Sequence, residues 1–448
     1  MLRPTLGTLA LFLGMVLWSA PAVSQEARVD SLPLSLREAL NLGLQRNPEV
    51  LTAGYNRSAA GAGMWDAYGN FLPRVNLSGQ LQHVDQGTFV LFGSEFDSPE
   101  SYNTGYSWDI THSLLDSGRD LLRLKSARAN VDQAIAGYDL QTLSTATQIE
   151  TQYLEARRRQ ALVARARAET ESRTRQLQLA QGRYDVGSVT KSDVLLAEIE
   201  LNRAEVAVLQ ATQQVEEARL GLRRLLGGAL PDQPLSLTTT FQVFQPAYVV
   251  EDLIARALRD HPSLRESRAR QEADAAQLWI ARTAYLPSLS LQYSLQRTAA
   301  DTIDFVWSDF AEQSFVGLAL NWQVFSGFER HNQTSQANAA LQSARAEEVR
   351  RSLQIEQDVR TAFSRLETAY ASHQVARRSV ELAAEDLRLG EARYRTGTGS
   401  FVDLVDARTR SAQADVDLIT ATYDFYLALV QLELATGLNL LPAEVDRP

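Results

Sequence analysis

Two kinds of hydrophobic pattern alternate along the chain. From Arg119 to Val186, and again from Glu329 to Arg395, there is no proline and there are at most two glycines, so each segment predicts one uninterrupted helix. A helix of about 67 residues would span about 100 Å at 1.5 Å per residue, far beyond an ordinary globular helix.

The second of these segments carries a heptad pattern, with mostly apolar or small residues at alternating steps of four and three. This pattern predicts a seam packed against a neighbouring helix. An ordinary coiled coil with a structural role remains an alternative, and His373 on the seam is interpreted as a packed side chain, not a ligand. The seam positions are Ile355, Val359, Ala362, Leu366, Ala369, His373, Ala376, Val380, Ala383, Leu387, Gly390 and Tyr394.

A glycine-containing turn follows each long segment, at 185–188 and 395–400, and Thr190 and Ser400 can cap the helices that return. Each half is therefore predicted to hold a long helical hairpin, 117–227 and 328–437. Shorter helices are expected at 36–46 and 49–70, with copies at 250–260 and 263–284. The helix at 49–70 is predicted to stack end to end on a returning arm.

Strand-like alternation of apolar and polar residues occupies four segments of about ten residues, at about 74–84, 104–115, 288–298 and 314–325. A soluble sandwich is the alternative to a membrane barrel. The barrel is favoured because each half offers only two strands and because aromatic residues suit a membrane interface. Four strands cannot close a barrel, so the chain is expected to associate with copies of itself. These aromatic residues are Tyr106, Trp108, Trp307 and Trp322.

The whole arrangement occurs twice, because residues 36–227 are repeated by residues 250–437 almost without gaps. The motif LQRNPEV is matched by LRDHPSL, and RYDVGSVTKSDVLLA by RYRTGTGSFVDLVDA. We therefore divide the chain into a first repeat at 25–228, a linker at 229–249, a second repeat at 250–437 and a C-terminal tail at 438–448.

Composition and charge narrow the function. A net charge of −10 argues against a nucleic-acid partner, and the absence of cysteine excludes disulfides and thiol metal sites. Residues 1–24 predict a secretory signal peptide, since the apolar run is too short for a membrane anchor. No catalytic, metal or phosphate-binding pattern is found, so neither an enzyme nor a cofactor is expected.

The chain has a duplicated helix and hairpin order, NPE and FLP elements, LLDSGR and VFSGFER junctions and RYxxG motifs. In these features it resembles the TolC-like outer membrane efflux proteins. The resemblance implies a mainly α fold with membrane β-strands. It implies a homotrimer in outer membrane lipid, with a shared twelve-stranded β-barrel above a periplasmic α-barrel. A periplasmic adaptor and an inner-membrane pump would be its partners.

The resemblance also implies a gate just beyond the helical turns. Asp403 and Asp406 match acidic residues that line a constriction, where repulsion between copies should raise some carboxyl pKa values. Tyr394 and Asp193 match residues whose hydrogen bond keeps the gate closed. The alternatives are a solvated helix start for the two acids and a solvated pair for the others. Gly399 stands where a well-known member has an arginine, which predicts a looser closed state or a substitute such as Lys191.

These patterns predict a trimeric channel-tunnel, the passive exit duct of a tripartite efflux or type I secretion system. A periplasmic coiled-coil adaptor or a structural helical scaffold are the alternatives. The adaptor would need a lipoyl-like or other compact β domain, for which the sequence offers no segment. Neither the cargo nor the partner pump can be inferred from the sequence.

Overall fold

The computed structural model describes residues 32–85, 87–97, 101–228, 235–300 and 310–441. The predicted signal peptide at 1–24, Trp307, and parts of the predicted linker and tail lie outside the described residues. The helices are α1 Leu36–Arg46, α2 Pro48–Gly69, α3 Arg119–Asp185, α4 Lys191–Leu225, α5 Val250–Asp260, α6 Pro262–Thr283, α7 Glu329–Arg395 and α8 Phe401–Thr436. The strands are β1 Leu32–Leu34, β2 Arg74–Val84, β3 Thr88–Leu91, β4 Ser94–Asp97, β5 Ser101–Leu115, β6 Leu235–Leu237, β7 Ser288–Ala300 and β8 Ala311–Asn321.

Two helical hairpins, α3–α4 and α7–α8, form the long part of the molecule, and α3 and α7 have 67 residues each. The predicted heptad seam of α7 is confirmed by burial. Half of its positions are buried and the others, His373 among them, are half-buried. The mainly α fold class is therefore confirmed, with the seam holding α7 in its hairpin.

Each returning helix meets a shorter helix end to end, at a contact that we call a joint. The side chain of the residue before the shorter helix caps that helix. Asn47 accepts a bond from the Glu49 amide (2.8 Å) and donates to the carbonyl of Leu225, the last residue of α4 (3.1 Å). In the second repeat, His261 accepts from the Ser263 amide (3.2 Å), and its other ring nitrogen faces the Leu434 carbonyl (3.2 Å). The joints extend α4 by α2, and α8 by α6, along the long helices α3 and α7.

The main hydrophobic core lies where the two repeats meet, around Tyr153, Phe425 and Tyr426, which are fully buried. The parallel pair β1–β6 ties the start of the first repeat to the segment between repeats. The Tyr153 hydroxyl donates to the Leu34 carbonyl (2.9 Å) and accepts from the Thr239 amide (3.2 Å), so its polar group is satisfied inside the core.

A four-stranded antiparallel sheet stands beyond the helices, in the order β2-β5-β7-β8. The pair β5–β7 joins the two repeats, and β2 and β8 are the two edges. One face of the sheet is apolar and open, with exposed fractions of 61% for Leu77, 64% for Leu318 and 68% for Leu320. On the other face, hydroxyls bond across strands, as between Ser78 and Ser107 (2.8 Å). A soluble sandwich would cover the apolar face, and the described residues leave it bare.

Strand β8 ends at Asn321, short of the predicted end at 325, and the following residues make other contacts. The buried Arg330 guanidinium donates hydrogen bonds to the Val324 carbonyl (2.8 Å) and the Ala284 carbonyl (3.2 Å). The Trp322 indole donates to the Tyr285 carbonyl (3.2 Å). Strand β8 is thereby fixed to the end of α6. In the described ranges, no helix is both long and apolar enough to cross a bilayer.

Candidate functional site

The predicted gate residues lie at the tips of the two hairpins, where the turns have matching construction. Gly187 and Gly397 have φ of 73° and 78°, the left-handed region that glycine adopts without strain. Each returning helix then begins with a capping box, Thr190 with Asp193 in α4 and Ser400 with Asp403 in α8. Asp193 and Asp403 therefore both serve as helix caps within their own hairpins.

Asp403 and Asp406 are both exposed, one turn apart on α8. The Ser400 hydroxyl and backbone amide bond the Asp403 carboxyl and hold its pKa below its usual range, with a smaller contribution from Arg393. Within one protomer the direction is thus opposite to the rise expected from repulsion in a ring. The capping role expected as an alternative is present for Asp403, and the residue is also exposed to solvent.

Tyr394 lies in a small hydrophobic cluster that joins the two tips. Its side chain is 9% exposed, its ring is 5.7 Å from that of Phe401, and the Arg183 guanidinium lies 4.6 Å above the ring. Arg183 belongs to α3, so this cation–π contact crosses between hairpins. The other buried members of the cluster are Ala180, Val194, Ala197 and Leu404.

The structure does not pair the Tyr394 hydroxyl with Asp193 among the described residues. The Asp193 carboxylate instead accepts from the Thr190 amide (2.9 Å) and hydroxyl (2.9 Å). The two residues still lie at the same junction, since Val194, next to Asp193, packs in the cluster of Tyr394. Their hydrogen bond stays a prediction, and the charged side chain of the first hairpin that contacts Tyr394 is that of Arg183.

The position of Gly399 is crowded as well as uncharged. A Cβ there would lie 3.0 Å from the Cβ of Arg393, so a larger side chain would require the turn to shift. Lys191, the predicted substitute, lies 5.6 Å from the Tyr184 ring in its own hairpin. Lys191 thus contacts its own hairpin, and the basic side chain that acts on the Asp403 carboxyl is Arg393.

Near the tips, sequence reasoning missed two arginines that link the hairpins. Arg183 belongs to the repeated RYxxG motif, and nothing in that motif indicates a cation–π contact with Tyr394 of the other hairpin. Arg408 follows the gate carboxylates and bonds both Ser172 and Glu391. No sequence signal identifies these acceptors, because they lie on two other helices.

These features define a class: a chain with long helical hairpins below a four-stranded β-sheet whose edges are unpaired within the described residues. The description "Outer membrane efflux protein" belongs to the family model that matches residues 39–228 and 253–438. The chain belongs to the outer membrane efflux protein family, and its location is the outer membrane. It is an efflux or secretion channel protein.

Individual relatives agree with this assignment. Protein CyaE of Bordetella pertussis is 27% identical, over 87% of this chain and 82% of its own. Outer membrane protein TolC of Escherichia coli is 25% identical, over 87% and 80%. The Campylobacter jejuni CmeC outer membrane channel has a TM-score of 0.77 at 16% identity, covering 90% of this chain and 85% of that one, which concerns the fold alone.

Proposed function

We propose that three copies of this chain form a passive exit duct, with one shared β-barrel in the outer membrane and an α-helical tunnel in the periplasm. The observation that carries the proposal is the sheet β2-β5-β7-β8, which has an exposed apolar face and two free edges within the described residues. Free edges cannot be left unpaired in lipid, so the sheets of neighbouring copies would pair β8 with β2.

The helical part supports a tunnel below that barrel. Because α2 extends α4 and α6 extends α8, each protomer offers four helical rows of similar length, α3, α4–α2, α7 and α8–α6. Three copies would give twelve rows. We expect a periplasmic adaptor and an inner-membrane pump to dock at the tips and to supply the transport energy.

The tips would form the gate. Asp403 and Asp406 from three copies would bring six carboxylates towards one axis, where they would attract cations and raise one another's pKa values. This repulsion would oppose the lowering that Ser400 causes within each protomer. Tyr394 and Asp193 would help to hold the tips together, by a hydrogen bond formed in the assembled closed state.

Planar-bilayer recording of the protein extracted from outer membranes tests this function. We expect small, cation-selective single-channel currents from an oligomer, because the tips would be closed and Asp403 and Asp406 would line the constriction. A protein recovered as a periplasmic monomer that gives no current would overturn the proposal. Cation selectivity that is unchanged when both aspartates are replaced by alanine would overturn the carboxylate ring alone.

A further inference from the structure

A row of polar contacts fastens α3 to α8, the seam where the two hairpins of one protomer meet. Arg158 binds Asp424 (3.2 Å) and Arg165 binds Asp415 (2.9 Å). The third contact, nearest the tips, is the bond from Arg408 to the Ser172 hydroxyl (2.8 Å). On α3 the three positions are seven residues apart, so they lie on one face of the helix.

The contact nearest the tips differs from the other two in its acceptor. The upper two arginines bind carboxylates across the seam, whereas Arg408 finds only a neutral hydroxyl there. A hydrogen bond with charge on both sides is stronger than one with charge on the donor alone. The seam is therefore weakest at its lowest polar contact.

Arg408 itself is held in place by the second hairpin. One terminal nitrogen bonds Glu391 of α7 (2.8 Å), the other bonds Ser172 of α3, and the side chain is only 20% exposed. The guanidinium fork thus ties three helices together, α3, α7 and α8. Arg158 and Arg165 are shielded to the same degree, at 21% and 20%, so the three contacts differ in their acceptors and not in the exposure of their arginines.

Below Arg408 the packing between the hairpins is incomplete. A cavity of about 330 Å³ is lined by residues of α3, α7 and α8, among them Gln176, Tyr394 and Arg408. Gln176 is 5% exposed, yet its amide nitrogen and oxygen have no hydrogen-bond partner among the described residues. The tip beyond Arg408 is thus held by the cluster around Tyr394 and by few polar contacts.

We propose that Arg408 is a latch residue of the gate: it positions the inner face of α8 against α3, and its release allows the tips to separate. The two carboxylate contacts above it stay closed and act as the hinge. This inference rests on the proposed function and adds a regulating residue to the same gate. It concerns contacts within one protomer, so it does not depend on the geometry between copies.

Single-channel conductance in a planar bilayer tests the latch, with Arg410 as the matched control. Arg410 lies two residues further along α8 and, among the described residues, binds Asp386, a pair that stays within the second hairpin. Arg408→Ala should raise the closed-state conductance several-fold, and Arg410→Ala should leave it at the wild-type level. The fully open conductance should be the same in all three proteins.

Ser172 supplies a test in the opposite direction. Ser172→Asp would give Arg408 a carboxylate across the seam, so the closed-state conductance should fall below the wild-type value. In the double variant Ser172→Asp, Arg408→Ala, that decrease should disappear. Ser172→Asp keeps Arg408, so it still decides the question if Arg408→Ala fails to assemble.

The outcomes separate the two proposals. A wild-type protein that forms no channel would overturn the proposed function. A wild-type channel with Arg408→Ala indistinguishable from Arg410→Ala, or with Ser172→Asp no tighter than wild type, would overturn the latch and leave the channel intact.

Discussion

The joint between α8 and α6 should loosen in acid, because its cap is a histidine. His261 is 7% exposed, and the Ser263 amide can bond its Nδ1 only while that nitrogen is unprotonated. Burial is the main cause that lowers the His261 pKa below 6.5, and Arg351 adds to it, while the Leu434 carbonyl and Asp358 act in the opposite direction.

The direction of the pH effect on stability follows from which state of the joint, folded or unfolded, binds the proton. Between the lowered folded pKa and the unfolded value of 6.5, the unfolded joint is protonated and the folded joint is not. The contribution of His261 is therefore fully present above pH 6.5 and is lost as the pH falls through the folded pKa. The loss is at most about 1.4 kcal/mol per pH unit over that window.

The first repeat supplies the matched control, since Asn47 makes the same two bonds and does not titrate. His261→Asn should keep the joint closed at pH 7.5 and remove its acid sensitivity. His261→Ala should destabilise the joint by about 1 kcal/mol for the lost cap and by about 1 to 3 kcal/mol for the unpaired Leu434 carbonyl.

Hydrogen exchange at the Ser263 and Leu264 amides measures the opening of this joint directly. After correction for the pH dependence of intrinsic exchange, protection in the wild type should fall between pH 7.5 and 5.5. Protection in His261→Asn should stay constant. An equal decrease in both proteins would refute the assignment of the acid sensitivity to His261.

Three further predictions concern the gate and the helix ends. Replacing Asp403 and Asp406 with alanine should weaken block of the channel current by multivalent cations, and unchanged block in bilayer recordings would count against the ring. Tyr394→Phe should raise closed-state conductance if its hydroxyl bonds in the assembled gate, whereas wild-type conductance would show that the ring contacts suffice. Gly227→Ala should be more destabilising in thermal unfolding than Gly228→Ala. Both have positive φ, a strain of about 1 to 2 kcal/mol, but only the first would place its Cβ 2.8 Å from a backbone oxygen.

Much of the fold could be predicted because its signals are periodic and long. The absence of proline from α3 and α7, the heptad seam of α7 and the alternation in the strands are local properties of the sequence. The end-to-end helix stacking could be predicted from helix lengths alone. The residues that make the joints could not, because Asn47 and His261 bond carbonyls more than 170 positions away.

The gate was less accessible to sequence reasoning. Asp193 and Asp403 carry a local capping signal, which the structure bears out in both hairpins. The contact of Arg183 with Tyr394 and the bonds of Arg408 depend on how two hairpins pack, and no pattern within either hairpin encodes that arrangement. The early end of strand β8 was also not predictable, since the Val324 carbonyl accepts from the Arg330 side chain and the Trp322 indole bonds the Tyr285 carbonyl.

Native mass spectrometry of the protein extracted from outer membranes counts the copies in one particle, and so tests the central claim directly. If the free edges β2 and β8 pair between copies to complete one barrel, the mass should be three times that of the mature chain. A particle of one chain that still conducts ions would contradict the account, because a four-stranded sheet would then have closed without a partner.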